Sequence, residues 1–551
     1  MRIEVLALAT LLLGGGITMA ADPPIVFQSH PFGQVLDHVR ASVELVAGEK
    51  GVKAFNKNIQ EKLGEKGFEG FDIGRPIFGY VLLAPKPEEI TAVVALPISG
   101  EKEFLDLCER ANHQKPKLAG KEKDVYELPP LDPRYKALLR FSNQYAYIAY
   151  GAKPAPALEP KSLIPMQNIY IPTERGLIAG RIYFDRIPLP VKLALPALLE
   201  EVKKTILAGL PFGGGDEPLL KAIMPEVEKL VARYVKLAGG ADEMAARISV
   251  DIPTANLVVE ATLNGKPGSE LSKIIADRKP TGNKFGGLIA TPDTIAGFKC
   301  RLPLFEEEIR AATAAGLDFG QKEMTRNGPP DGKPIIEEIF KGLIRTVKTG
   351  QFDIVGGLRG PDKNGWYTAV GALAFEDTAA LEKELKTFVE KNAPANEQEK
   401  FKWDVAKAGK VSIHTWKMKQ LIFWDLSTVF GGDDCQLAFA FAPGGVFLVF
   451  GPDSVGVMKD ALAVKAAESP VLELVANPAR VSKLFRKANP NDPSNNWIET
   501  VLGKEDKLSS AMSITVEGGK ELKVTYRTDL RFFPRLMFMR DIERANRDLE
   551  K

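Results

Sequence analysis

Cysteine and histidine are the scarce residues of this chain, with three of the first and four of the second in 551 residues. Three cysteines, Cys108, Cys300 and Cys435, are too few for a disulfide framework, and their odd number leaves at least one thiol unpaired. Spacing alone leaves a Cys300–Cys435 bridge open, whereas Cys108 falls on the apolar face of a predicted helix and reads as a small buried hydrophobe. None of His30, His38, His113 and His414 is spaced from another histidine, or from a cysteine, like a metal pair. That disfavours a zinc site, and no metal or other cofactor is implied. Charge of one sign is lacking too: 73 basic against 71 acidic residues leave +2, no field that would draw nucleic acid. No Gly-x-Ser-x-Gly elbow, phosphate-loop Gly-Lys-Ser/Thr or His-Glu-x-x-His occurs. Beyond the N-terminus no apolar run is long enough to span a membrane. The longest, CQLAFAFAPGGVFLVFG from Cys435, is broken by Pro443, Gly444 and Gly445 and reads as two strands joined by a tight turn.

What is present begins with MRIEVLALATLLLGGGITMAADPP. Arg2, an apolar stretch from Val5 to Met19 and small residues at Ala20 and Ala21 form the pattern of a secretory signal peptide cleaved after Ala20. An uncleaved anchor is the other reading, weakened by Gly14 to Gly16. Export to the periplasm or the extracellular space is the expectation. Apolar residues at 45% and charged residues at 26% are ordinary for a folded globular chain, and the length predicts at least two domains.

Two stretches repeat a pattern. Tyr147 to Gly151 (YIAYG) and Phe447 to Gly451 (FLVFG) lie 300 residues apart, each an alternating run that stops at a glycine. Upstream, FDIGRPIFGY from Phe71 and FDIVGGLRGP from Phe352 both open on Phe-Asp-Ile, and both lead into a helix entered through a polar cap region, Ser99-Gly-Glu or Glu376-Asp-Thr. Helix positions Phe104, Cys108 and Ala111 align with Leu381, Leu385 and Phe388 at a spacing of 277. KDVYEL near 123 aligns with KVSIHTW near 410, and the hairpin from Ala246 aligns with that from Ser510. Four landmarks in one order predict an α+β fold made of two diverged copies of a mostly antiparallel sheet-plus-helices unit. The expected organisation is a signal peptide at 1–20, an N-terminal unit at 21–285 and a C-terminal unit at 286–551. Helical periodicity covers 190–207, 217–238, 303–317 and 334–350, while TRNGPPDGKP from 325 reads as a loop.

All five tryptophans, Trp366, Trp403, Trp416, Trp424 and Trp497, lie in the second half. Trp403, Trp416 and Trp424 are the candidate ligand-binding residues, an aromatic platform for sugar rings or extended peptides; packing within a larger core is the competing account. His414 alternates with apolar neighbours like an ordinary sheet histidine. Asp433-Asp434 and NPNDPSNN from 489 carry clustered oxygen ligands but read as turns. RFFPRLMFMRDIERANRDLE from Arg531 reads as a packed helix with membrane-surface docking as the alternative.

The leader, the FDI…ALPISGEKEFLDL segment and the YIAYG and FLVFG hairpins together resemble a family of large uncharacterised secreted bacterial proteins best represented in planctomycetes. The resemblance implies an exported protein without assigned catalysis and carries over no site residues. The sequence therefore favours an exported, non-enzymatic binding, scaffold or envelope-associated module. Its partner would be an apolar ligand, a glycan or an envelope protein, with no nucleic acid and no membrane span in the mature chain. The alternatives are a carrier of an apolar ligand and a secreted hydrolase using two carboxylates, which predicts a pair of buried acids, one with a raised pKa.

Overall fold

The computed structural model describes residues 22–192, 236–491 and 512–530, with 225, 229 and 233; within these spans 85, 87–88, 120–123, 130–131, 173, 175, 304–306, 329, 419, 422–423 and 426 are outside the description. The leader, the helical patterns at 193–224, most of NPNDPSNN, Trp497 and the C-terminal segment from Arg531 lie outside the described residues. Among the described residues no helix is long and apolar enough to cross a membrane. The chain is mixed helix and strand, and the strand pairings described within each unit are antiparallel. It divides into two compact units, one holding 22–192, Gly239–Leu271 and 528–530, the other 236–238, 272–491 and 512–527, so that the final strand of the second counts its last two residues with the first.

The first unit has ten strands: β1 (Ile25–Pro31), β2 (Pro76–Leu82), β3 (Thr91–Pro97), β4 (Lys117–Leu118), β5 (Val125–Leu128), β6 (Lys136–Ser142), β7 (Tyr145–Gly151), β8 (Ile178–Tyr183), β9 (Ala241–Asp251) and β10 (Asn256–Gly265). They pair in the order β4-β5-β6-β7-β3-β2-β1-β8-β9-β10. Helix α1 (Phe32–Leu63) joins β1 to β2 and breaks at Gly48, whose φ is 62°. Helix α2 (Glu101–Asn112) joins β3 to β4. The periodicity of α2 puts Phe104, Leu107 and Cys108 on one face, and these bury against Leu128, Leu139 and Ala146.

The second unit also has ten strands in its main sheet: β11 (Thr294–Pro303), β12 (Gln351–Arg359), β13 (Thr368–Ala374), β14 (Phe401–Ala408), β15 (Val411–Lys417), β16 (Gln436–Ala442), β17 (Gly445–Gly451), β18 (Leu472–Ala476), β19 (Met512–Glu517) and β20 (Leu522–Asp529). Their order is β14-β15-β16-β17-β13-β12-β11-β18-β19-β20. Helices α3 (Glu307–Asn327) and α4 (Lys333–Lys348) join β11 to β12, and α5 (Thr378–Asn392) joins β13 to β14. Helix α6 (Ser454–Leu462) follows β17 and lays Met458 and Ala461 on a core of Ile413, Ala438, Ala440 and Val449.

Local chemistry accounts for the hairpins. Between β6 and β7, Asn143 and Gln144 both take positive φ, 51° and 61°, the geometry of a primed two-residue turn. Between β16 and β17, Pro443 precedes Gly444 at φ 79°, which needs a glycine. The alternation of YAYIAYG buries Tyr145 and Tyr147 at 2% and 0% exposure. These aromatics are core, because a strand sends every second side chain to the same face. In each sheet a glycine lies opposite a phenylalanine at a position where a Cβ would meet the ring, Gly79 against Phe27 at 2.1 Å and Gly356 against Phe298 at 2.6 Å.

One local expectation is corrected and one open question is answered. The helix entries at Gly100 and Asp377 have no side-chain cap; Asp377 instead takes a left-handed φ of 64° and pairs with Arg345 at 2.6 Å. All three cysteines are free thiols, so Cys300 and Cys435 are not bridged. Burial pushes the Cys108 thiol up to about 11, which keeps it an inert core group.

Candidate functional site

Between β7 and β8 of the first unit the chain does not turn directly. It runs as a strap of short 3₁₀ turns, Ala155–Leu158, Pro160–Ser162 and Met166–Asn168, over the sheet face that carries Phe78, Tyr80 and Tyr147. Proline at 154, 156, 160, 165 and 172 suits this course, since each fixes φ and removes an N–H that a strand would require.

Side chains from six strands tie the strap down. Arg140 donates to the Leu158 carbonyl at 3.0 Å. The Tyr147 hydroxyl donates to the Ile164 carbonyl at 3.2 Å, and the Tyr80 hydroxyl accepts from the Ile164 N–H at 3.4 Å. Gln28 both donates to and accepts from the Ile171 backbone, at 3.0 and 2.7 Å. At the far end Glu174, with a side chain 2% exposed, accepts from Arg181 at 2.5 Å and Arg247 at 2.8 Å. Burial alone would raise the Glu174 pKa; the hydrogen bond from Arg181 and the Arg247 charge outweigh it and hold the carboxylate below its ordinary value. Burial likewise pushes the Tyr147 phenol up to about 12, so it stays protonated and able to donate.

Where the strap meets the end of β2 and the turn after β8 lies a cavity of about 520 Å³. Leu82 and Leu83 from the end of β2, Ile164 from the strap and Ile187 from the turn after β8 make its aliphatic walls. Its rim is charged and loosely paired: Lys153 with Glu89 at 3.7 Å, Lys161 with Glu159 at 3.2 Å and Arg186 with Asp22 at 3.7 Å. No aromatic side chain lines it. A volume in this range falls within that of small-molecule cavities, and the lining mixes aliphatic with charged side chains.

The tryptophans lie in the second unit. Strand pairing sets Phe401 opposite Trp416, and the rings stack at 4.9 Å and 10°; Trp403 continues the row at 5.7 Å and 20° from Phe401. Trp403 and Trp416 are thus brought into one row by a phenylalanine. Trp424 falls in a separate two-residue strand, Trp424–Asp425, paired with Gln420–Leu421, and the contacts of its side chain lie outside the described residues. Trp403 also packs edge-on to Phe439 and to His414.

His414 sits behind that row, fully buried. A bulge in β14 puts Asp404 at a left-handed φ of 53°, which aims its backbone N–H at His414 Nδ1 at 3.0 Å. His414 Nε2 faces Glu382 Oε1 of α5 at 3.1 Å, and Lys386 of the same helix contacts Glu382 at 2.8 Å and Asp404 at 3.4 Å. Ligand atoms of Glu382, Asp404 and His414 lie within 4.8 Å of one another, the spacing of a metal triad. The hydrogen bonds argue against that use. Nδ1 accepts a backbone proton, so the neutral ring carries its own proton on Nε2 and donates it to Glu382. A ligating histidine needs that nitrogen bare, and Lys386 already supplies the cation. Burial, then the Lys386 charge, holds the His414 pKa below its ordinary value, consistent with a neutral ring. Asp404 is held below the usual carboxylate range by a hydrogen bond from Ser412 and by Lys386.

Sequence reasoning found His414 and two tryptophans but not the strap, whose only local signal is its proline density. No family model, no curated protein and no solved structure matches this chain.

Proposed function

We propose that this chain is an exported, non-enzymatic binding protein, and that the cavity beside the strap of the first unit is its ligand site. The observation that carries the reading is the cavity itself: a lining that combines aliphatic side chains with charged ones, and an adjoining strap held both by packing on the core and by hydrogen bonds from the sheet. Fixing a wall in advance lowers the ordering cost of binding. An apolar small molecule suits such walls better than a glycan, whose recognition draws on aromatic faces the cavity lacks. The carboxylate-hydrolase alternative draws no support from Glu382 and Asp404, which share Lys386, with Asp404 shifted down rather than up.

The two units are read as diverged copies of one ancestral unit. In support, each strand from β1 to β10 has the same place in its sheet as the strand numbered ten higher, and long helical connections join corresponding strands. The Gly79–Phe27 pair has its counterpart in Gly356–Phe298, with the glycines 277 residues apart. Gly151 and Gly451, 300 apart, each lie against a threonine, Thr91 and Thr368, themselves 277 apart. Divergence then accounts for one copy holding the strap and cavity and the other the aromatic row. Export rests on the leader pattern.

Binding of the apolar fluorophore N-phenyl-1-naphthylamine to the purified chain tests the site. One equivalent is expected to bind. Ser162→Trp, which fills the cavity from the strap, is expected to weaken binding at least about tenfold, while Trp403→Ala leaves it unchanged. Loss of binding in Trp403→Ala with none in Ser162→Trp would move the site to the aromatic row.

A further inference from the structure

The three cations on the cavity rim are not equivalent. Lys153 and Lys161 have side chains 72% and 64% exposed, and each has a carboxylate beside it. Such pairs contribute little and place no charge in advance. Arg186 is 28% exposed and its guanidinium lies 3.9 Å from the centroid of the Tyr183 ring, a cation–π contact that holds it in place. Among the described residues its one charged partner is Asp22 at 3.7 Å, beyond hydrogen-bond reach, on a side chain itself 63% exposed. A guanidinium held in place, with donors unused among the described residues and set in the lining of a partly aliphatic cavity, is matched by a group with two coplanar acceptor oxygens.

We propose that the cavity takes an aliphatic carboxylic acid, its chain against Leu82, Leu83, Ile164 and Ile187 and its carboxylate on Arg186 in place of Asp22. This rests on the cavity being the ligand site and adds the class of ligand. Asp22 acts as the placeholder: a weakly held carboxylate keeps the guanidinium neutralised when the cavity is empty and yields to a better-placed one. A ligand carboxylate brings two oxygens in one plane and an apolar body that gains from burial, and Asp22 offers neither.

The test uses the full chain and three ten-carbon probes that differ in the head group: decanoate, decan-1-ol and decyltrimethylammonium, each displacing N-phenyl-1-naphthylamine. Decanoate is expected to bind at least about tenfold more tightly than decanol, the size of a charge-assisted hydrogen-bonded pair. Arg186→Gln is expected to erase that preference while decanol affinity stays within about twofold. Asp22→Asn, an exposed change that leaves the fold intact, is expected to tighten decanoate binding by removing the competing carboxylate. Equal binding of decanoate and decanol would overturn the acid assignment and leave the cavity reading standing. Tightest binding by decyltrimethylammonium would overturn it as well and give the rim acids the deciding role. Failure of all three probes to displace the fluorophore would overturn both.

Discussion

Glu174→Ala is expected to cost the first unit about 3–5 kcal/mol, the range for removing one partner of a buried ion pair. Glu174 is 2% exposed and accepts from both Arg181 and Arg247, whose side chains are only 16% and 21% exposed. Arg181 keeps Glu243 at 3.0 Å, but Arg247 loses its carboxylate partner in a site where water replaces it poorly. The change also frees the strap at its far end, where Arg181 and Arg247 hold Glu174, and removes the acceptor of the Gly176 N–H at 3.3 Å. Glu174→Gln keeps one acceptor and is expected to fall between. Native-state amide hydrogen exchange in the strands of the first unit, compared across the three proteins, measures the losses. A loss under about 1 kcal/mol in Glu174→Ala would mean the strap is held by packing alone.

The second large effect is expected from Gly79→Ala, at about 3 kcal/mol, the upper end for overpacking a filled core. A Cβ there would lie 2.1 Å from Phe27 Cζ and 2.5 Å from the Val93 carbonyl oxygen, between Phe78 and Tyr80, both fully buried. The Val93 carbonyl is strand backbone and cannot leave without moving β3, and the half-buried Phe27 ring would have to turn away as well. The counterpart change, Gly356→Ala, meets Phe298 Cε1 at 2.6 Å, but that ring is 40% exposed and free to rotate into solvent. Its cost is expected to stay below about 1 kcal/mol. The comparison by chemical denaturation is the check, and equal costs in the two units would contradict this account of the glycines.

How far the sequence foretold this structure depends on the range of the interaction. Alternation in YAYIAYG and GVFLVFG predicted two hairpins, and strand geometry alone then makes Tyr145 and Tyr147 core. The antiparallel α+β class followed from the same local signals. The row of Phe401, Trp403 and Trp416 was half legible: two tryptophans were singled out, but the phenylalanine that joins them was not, because only strand register sets it opposite Trp416. Helix α1 was missed, since its exposed polar surface carries no apolar stripe for periodicity to detect. The strap was missed for a different reason. Its ties run from Gln28 to Ile171 and from Tyr80 to Ile164, side chains bonding backbone groups far along the chain, and no spacing rule encodes that. His414 read as an ordinary sheet histidine; its proton position is fixed by a bulge at Asp404 that the sequence does not announce.

The claim at the centre of this account is that ligand enters the strapped cavity of the first unit. Amide hydrogen exchange of the full chain with and without saturating decanoate tests it most directly. Slowed exchange is predicted at Leu163 to Ile171, at Glu89 to Thr91 and at Ile187, with 401–416 unchanged. Protection confined to 401–416, with the strap exchanging as before, would contradict it.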